Sequence, residues 1–185
     1  MNKVVSLLFG NNKQQSFEQI VEPYLNLMFK VAYQYTGNTE DAEDLVQEVL
    51  AELFKNLTKL QQAEKTKAWI MRCLYNKFVD QYRQQKSRPL IDSLDDEQQI
   101  PLTQATPEHE LLLTHQQVLA GLSQLNSNQR ALVTMHDING YTLVELAEIM
   151  QKPVGTLKSD LHRARAKLKI LFNLQPSDIQ SRHCM

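Results

Sequence analysis

The stretch TLVELAEIMQKPVGTLKSDLHRAR, residues 142–165, decides the fold. Thr142 followed three residues later by Glu145 is a capping box, and Leu143, Leu146, Ala147 and Ile149 supply the apolar stripe of a short helix behind it. Gln151 and Lys152 allow only a tight turn before Pro153 and Gly155 open a final helix running to about Phe172. A short helix, a tight turn and a longer basic helix have the dimensions of a helix-turn-helix, whose second helix enters the major groove of DNA. On that helix Val154, Leu157, Leu161, Ala164 and Leu168 are expected to pack inward. Lys158, Ser159, His162 and Arg163 then share an exposed face able to reach base edges, with Arg165, Lys167 and Lys169 placed for phosphates. A solvated amphipathic helix with ordinary surface charge is the competing reading of the same residues.

Upstream, the pattern stays helical. Asn126 to Gln129 starts a helix through Leu132, Val133 and Met135 that Gly140 ends, and Thr106-Pro107-Glu108 starts another carrying Leu111, Leu112, Val118, Leu119 and Leu122. Pro89, Pro101 and Pro107, with acidic and polar residues between them, mark 89–106 as a linker. Before it, Ser16 and Gln19 have capping-box spacing, and Phe17 to Tyr35 recur as one helix stopped by Gly37 and Asn38. Thr39 is placed to cap a second helix with Glu40 and Asp41 in its first turn and Ala42, Leu45, Val46, Val49, Leu53 and Phe54 as its buried stripe. Residues 59–65 read as a loop, and a third helix holds Trp69, Ile70, Cys73, Leu74, Phe78 and Tyr82. The fold expected is all-α, with two small helical domains, 1–88 and 107–174, joined by an acidic Pro-containing linker, 89–106, and followed by a tail, 175–185.

Bulk properties agree. Five glycines and six prolines in 185 residues leave the helices few interruptions. The net charge of −1 lacks the excess of a free-standing nucleic-acid binder, yet the charge is segregated along the chain. Between Glu64 and Arg88 seven cations face only Glu64 and Asp80, and between Lys152 and Lys169 six face only Asp160. Acidic runs at Glu40–Glu52 and Asp92–Glu110 offset them, which implies separate surfaces for separate partners. Two cysteines make no disulfide framework, and no apolar run approaches the roughly 18 residues that span a bilayer, so a cytoplasmic protein without membrane insertion is expected. The Val4–Phe9 run is too short for a signal peptide.

Asn126-Ser127-Asn128-Gln129-Arg130, Tyr141 to Ala147, Val154 to Ser159 and Arg163-Ala164-Arg165 resemble region 4 of bacterial sigma factors, over roughly Leu111 to Phe172. Asp41-Ala42-Glu43-Asp44-Leu45-Val46-Gln47-Glu48 resembles region 2, and Trp69-Ile70, Arg72, Asn76, Asp80 and Arg83 match the spacing of its minus-ten segment. The resemblance is to the small extracytoplasmic-function type. It implies a transcription initiation factor, not an enzyme and without cofactor or metal, that directs RNA polymerase core to promoters.

By the same resemblance Asp41, Asp44, Leu45, Gln47 and Glu48 hold the clamp helices of the polymerase β′ subunit, with Leu45 and Val49 serving as contact area or core. Arg72, Asn76, Lys77, Arg83 and Arg88 bind the minus-ten element as it becomes single-stranded, where Asn76 can read a flipped base. Thr156, Lys158, Ser159, His162, Arg163 and Lys167 bind the duplex minus-thirty-five element, and region 4 packs on the β flap. An anti-sigma factor is a further implied partner. Trp69 and Phe78 belong to packing, and Asp80 is expected to pair with Lys77 or Arg83. The acidic linker is either simply solvated or enters the polymerase cleft.

Two positions depart from the family. Gln151 stands where a turn glycine is frequent, and Asp160 replaces a basic residue, with base reading, phosphate repulsion and pairing with Arg163 as its competing roles. The rival class is a self-sufficient helix-turn-helix regulator, against which the region 2 pattern argues. A metalloenzyme is remote: His109-Glu110 begins a zincin-like motif, but Leu113 stands where its second His is needed.

Overall fold

Proline 23 divides what the sequence presents as one helix. In the computed structural model, which describes residues 11–87 and 116–172, α1 runs Asn11–Val21, a 3-10 turn holds Glu22–Tyr24, and α2 runs Leu25–Thr36. The missing N–H of Pro23 fits the start of the 3-10 turn and nowhere inside a continuous helix. Ser16 therefore caps nothing; it lies inside α1, and its hydroxyl accepts from Gln61 Nε2 at 3.4 Å. Gly37, at φ 88°, ends α2, and Asn38 rather than Thr39 caps α3, Thr39–Lys55. The extended backbone of Asn38 lets its Oδ1 accept from the Asp41 N–H at 2.8 Å.

The expected loop at 59–65 is partly helical: α4, Leu57–Gln61, buries Leu57 and Leu60. Helix α5, Thr66–Ser87, follows. The second half has α6 at 116–123, α7 at Ser127–Val133, a π-helical turn at Thr134–Ile138, α8 at Leu143–Met150 and α9 at Val154–Leu171. No strand occurs among the described residues. The linker, the helix start at Thr106, residues 175–185 and Arg88 lie outside them, as do Leu111 and Leu112.

Helices α2, α3 and α5 pack around Met28, Val31, Tyr35, Leu45, Val49, Leu53, Ile70 and Leu74, all essentially inaccessible. Phe78 stacks on Tyr35 with ring centroids 4.5 Å apart, and Trp69 is half-buried, so both belong to packing as expected. In the second half α7, α8 and α9 enclose Leu132, Met135, Leu146, Ile149, Leu157 and Leu161. Leu157, Leu161 and Ala164 face inward as read from the sequence; Val154 does not and is 40% exposed. The ring of Phe172 sits over Gly121, where a Cβ would lie 2.2 Å from it.

The halves are not separate. Helix α8 lies along α5, and α7 with the π turn lies against α2 and α5, so that one buried cluster runs through both.

Candidate functional site

Helix α3 presents the acidic face. Asp41, Asp44, Gln47 and Glu48 are exposed, while Leu45 is wholly buried with Ala42, Val46 and Val49. This corrects the placement of Leu45 on a binding surface: successive helical residues point about 100° apart, so the neighbour of an exposed Asp44 falls in the stripe that packs on α2 and α5. Asp41 is engaged by its own cap, accepting from Asn38 Nδ2 at 2.7 Å. Glu48 accepts from Gln81 Nε2 and pairs with Lys77, both at 3.0 Å, across the α3–α5 seam. Lys77 thus makes its hydrogen-bonded ion pair with Glu48, which is the main cause raising its pKa, and Asp80 adds a further attraction. Between α3 and the end of α5 a groove of about 380 Å³ is lined by Asp41, Asp44, Glu48, Gln81 and Tyr82, with Arg130 of the other half at its side.

On α5, Asn76 and Arg83 are exposed. Arg72 is partly buried: its Nη2 donates to the Glu148 carbonyl of α8. Beside it Lys65 pairs with the Glu148 carboxylate, and the Lys67 ammonium lies 4.8 Å from the Tyr141 ring centroid. Burial and the nearby Glu52 push the Cys73 thiol up to about 11.

The helix-turn-helix forms as the sequence requires. Thr142 and Glu145 complete a reciprocal capping box at the start of α8. Glu145 is held below the usual carboxylate value by those bonds from Thr142. Gln151 ends α8 in the left-handed region at φ 53°, confirming that the turn calls for positive φ. On α9, Thr156, Lys158, Ser159, His162 and Arg163 are exposed along the N-terminal half.

Several α9 cations are occupied. Arg163 donates to Asp160 at 2.6 Å, which selects helix pairing among the roles open to Asp160 in this state. Lys167 donates to the Gln124 carbonyl, and Arg165 grips both oxygens of Asp137 in the π turn. Arg165 therefore ties α9 to its own domain instead of pointing at phosphate.

The residue that sequence reading passed over is Arg130. It is 8% exposed, and its guanidinium donates to the carbonyls of Leu122 (2.8 Å), Ser123 (2.7 Å) and Tyr35 (2.7 Å). Two of those acceptors close α6 in its own half; the third belongs to α2. The group also lies 5.5 Å from the Tyr82 ring centroid and 5.9 Å from that of Phe78. Desolvation lowers its pKa. A cation on the same face as buried Ser127 and Thr134 is the signal that could have singled it out. Asn128 accepts from the Tyr75 hydroxyl at 2.7 Å, and Asn139 donates to Gln34 at 2.7 Å, adding polar ties across the seam.

An acidic helix beside a basic, aromatic one, followed by a capped helix-turn-helix, is the arrangement of a DNA-binding transcription factor. The description sigma-70 region 2 matches residues 20–88, and sigma-70 region 4 matches 115–168. The chain is 29% identical to the ECF RNA polymerase sigma factor SigW of Bacillus subtilis, over 84% of this chain and 88% of SigW. It is 31% identical to the ECF RNA polymerase sigma factor EcfG of Rhodopseudomonas palustris, over 76% of each. The sigma factor RpoE of Bartonella quintana, solved with the anti-sigma factor NepR, superposes with a TM-score of 0.66 at 26% identity, covering 87% of this chain and 99% of that one. The chain belongs to the extracytoplasmic-function sigma factors of the sigma-70 family, promoter-specifying initiation factors that bind RNA polymerase and promoter DNA. No helix among the described residues is long and apolar enough to cross a membrane.

Proposed function

We propose that residues 1–88 hold polymerase core and the minus-ten element, that 107–174 read the minus-thirty-five element, and that 89–106 and 175–185 are connector and tail of a protein with no catalytic activity of its own. Asp44, Gln47 and Glu48, with Asp41 at the helix start, form the face for the β′ clamp helices; Leu45 supports it from beneath. Asn76, Arg72, Lys77, Arg83 and Arg88 take the opened minus-ten strand. Thr156, Lys158, Ser159, His162 and Arg163 take the minus-thirty-five duplex, with Lys167 at its edge. A partner like the anti-sigma factor of the similar RpoE is expected for this chain as well.

The observation that carries this reading is that the acidic face of α3 and the polar face of α9 are both solvent-exposed on helices whose opposite sides are core. Asp44 gives the cleanest test because, unlike Asp41, it caps nothing. Asp44→Lys is expected to weaken binding to purified core about tenfold, roughly 1.4 kcal/mol, with an unchanged melting temperature. Unaltered core affinity in the folded variant removes α3 from the polymerase interface.

A further inference from the structure

The cations of α9 differ in what holds them. Arg165 grips Asp137 of the π turn and Lys167 donates to the Gln124 carbonyl, so both fasten the helix to its own domain. Arg163 is held instead by Asp160 of the same helix, Nη2 to Oδ1 at 2.6 Å. That bond fastens α9 to nothing else. A surface pair three residues apart changes helix stability by about twofold at most, and a carboxylate on the helix assigned to DNA repels phosphate. Asp160 is moreover the only acid between Lys152 and Lys169. Stability does not account for its place there.

The geometry of the pair does. The Asp160 side chain is 21% exposed and that of Arg163 is 64% exposed, so the carboxylate is the seated partner and the guanidinium the presented one. An arginine stem samples many rotamers, and a contact one turn back fixes its tip over the Ser159–Asp160 turn, toward the N-terminal half of α9. In a helix-turn-helix that is the half that reaches base edges. Guanine presents two acceptors there, O6 and N7, which a guanidinium fork matches. With Arg165 locked on Asp137, Arg163 is the fork that α9 has for them, and the Ser159 hydroxyl spends its proton on the Gly155 carbonyl at 3.1 Å. Pairing with Asp160 also offsets the charge of Arg163, which lowers its attraction to phosphates in any register.

We propose that Asp160 is a positioning residue for promoter recognition: by holding Arg163 toward the N-terminal turn and offsetting its charge, it turns a general phosphate binder into the reader of one guanine in the minus-thirty-five duplex. Discrimination rises while nonspecific affinity falls. This inference rests on the assignment of α9 to that duplex.

The test uses holoenzyme assembled from the full chain and purified core, with a pool of promoter duplexes randomised across the upstream element whose bound members are sequenced. Wild type is expected to prefer guanine at one position by about tenfold or more. In Asp160→Ala the preference falls to about twofold, at the same position where Arg163→Ala abolishes it, and the double variant loses no more than Arg163→Ala alone. Asp160→Glu, which keeps a carboxylate three residues before Arg163, retains most of the preference. On a nonspecific duplex at low salt Asp160→Ala should bind about two- to threefold tighter, with a salt slope steeper by about one and an unchanged melting temperature. A preference in Asp160→Ala equal to that of wild type overturns the proposal. So does a loss at a position that Arg163→Ala leaves intact, which makes Asp160 itself the reader through a cytosine amino group. A lowered melting temperature in Asp160→Ala that Asp160→Glu does not restore, with the preference lost in both, assigns Asp160 to packing and overturns it as well. If Lys158→Ala and Arg163→Ala both leave every base preference unchanged, α9 does not read the duplex and the assignment beneath the proposal falls instead.

Discussion

Gln151 ends α8 with a left-handed backbone that side chains other than glycine and asparagine adopt at a cost of about 1 kcal/mol. Gln151→Gly relieves that cost but gains entropy in the unfolded chain, so the net stabilisation expected is about 0.3–1 kcal/mol, read from the midpoint of urea unfolding. A glycine variant no more stable than wild type would show that the Gln151 side chain offsets its own strain. This position was legible in advance, because helix–turn–helix spacing leaves no other residue to make the turn. Leu45 was legible too, but in two incompatible ways: the acidic motif drew it toward the polymerase and the apolar period placed it in the core. The period wins, because burying a leucine contributes more than a rim contact can return. Leu45→Ala is accordingly expected to cost about 2–5 kcal/mol of stability, where Asp44→Lys costs little. Thermal melts of the two neighbours side by side separate the core role from the surface role.

Elements were read well where a cap or period dominates and poorly where a single residue or a short apolar pair decides. The box at Thr142, the cap at Asn126 and the stop at Gly37 all act as their side chains or backbone freedom demand. The division at Pro23 was hidden by an apolar period that continues across it. Helix α4 was missed because only Leu57 and Leu60 mark it, and five residues are too few for periodicity to register. The π turn had no sequence signature at all; what fixes it is a tertiary bond. Burial alone would push the Asp137 carboxyl up, but hydrogen bonds from Arg165 and His136 outweigh it and hold the group below its usual value. A carboxyl depressed in the folded state stabilises fully above the unfolded value of about 3.9, and the contribution is lost as pH falls through the folded value. Asp137→Asn should therefore cost about 1 kcal/mol at pH 7, with the difference from wild type shrinking to nothing in the acid range. Urea titrations at a series of pH values measure it; a difference that persists at the lowest pH assigns Asp137 a role independent of its charge.

At the scale of the whole molecule, the two basic helices differ among the described residues: α9 keeps Lys158, Ser159 and His162 exposed, while α8 lies along α5 and takes up Arg72. Sequence could not show this, because Arg130, Tyr75, Asn128 and Glu148 each pass for an ordinary surface or core residue, and the partners they join lie 53 to 95 positions apart. The consequence differs for the two promoter elements. On the proposed assignment, duplex carrying the minus-thirty-five element would meet a face of α9 that is exposed among the described residues. On the same assignment, single-stranded minus-ten DNA would meet the exposed Asn76 and Arg83 but also call on Arg72, whose guanidinium is committed to the Glu148 carbonyl. Opening the seam should then raise affinity for the minus-ten strand alone. With Asn128→Ala and Glu148→Ala combined, fluorescence anisotropy at low salt is expected to show about threefold tighter binding of a minus-ten single strand, and binding of the minus-thirty-five duplex unchanged within error. Each recovered phosphate contact also releases counterion, so the salt dependence for the single strand should steepen by about one unit of slope per freed cation, Arg72 first. If affinity rises equally for both DNAs, the variant has altered nonspecific electrostatics and α8 does not mask the minus-ten face. If neither changes while the chain opens, Arg72 contributes nothing to strand binding and the remaining minus-ten residues carry it.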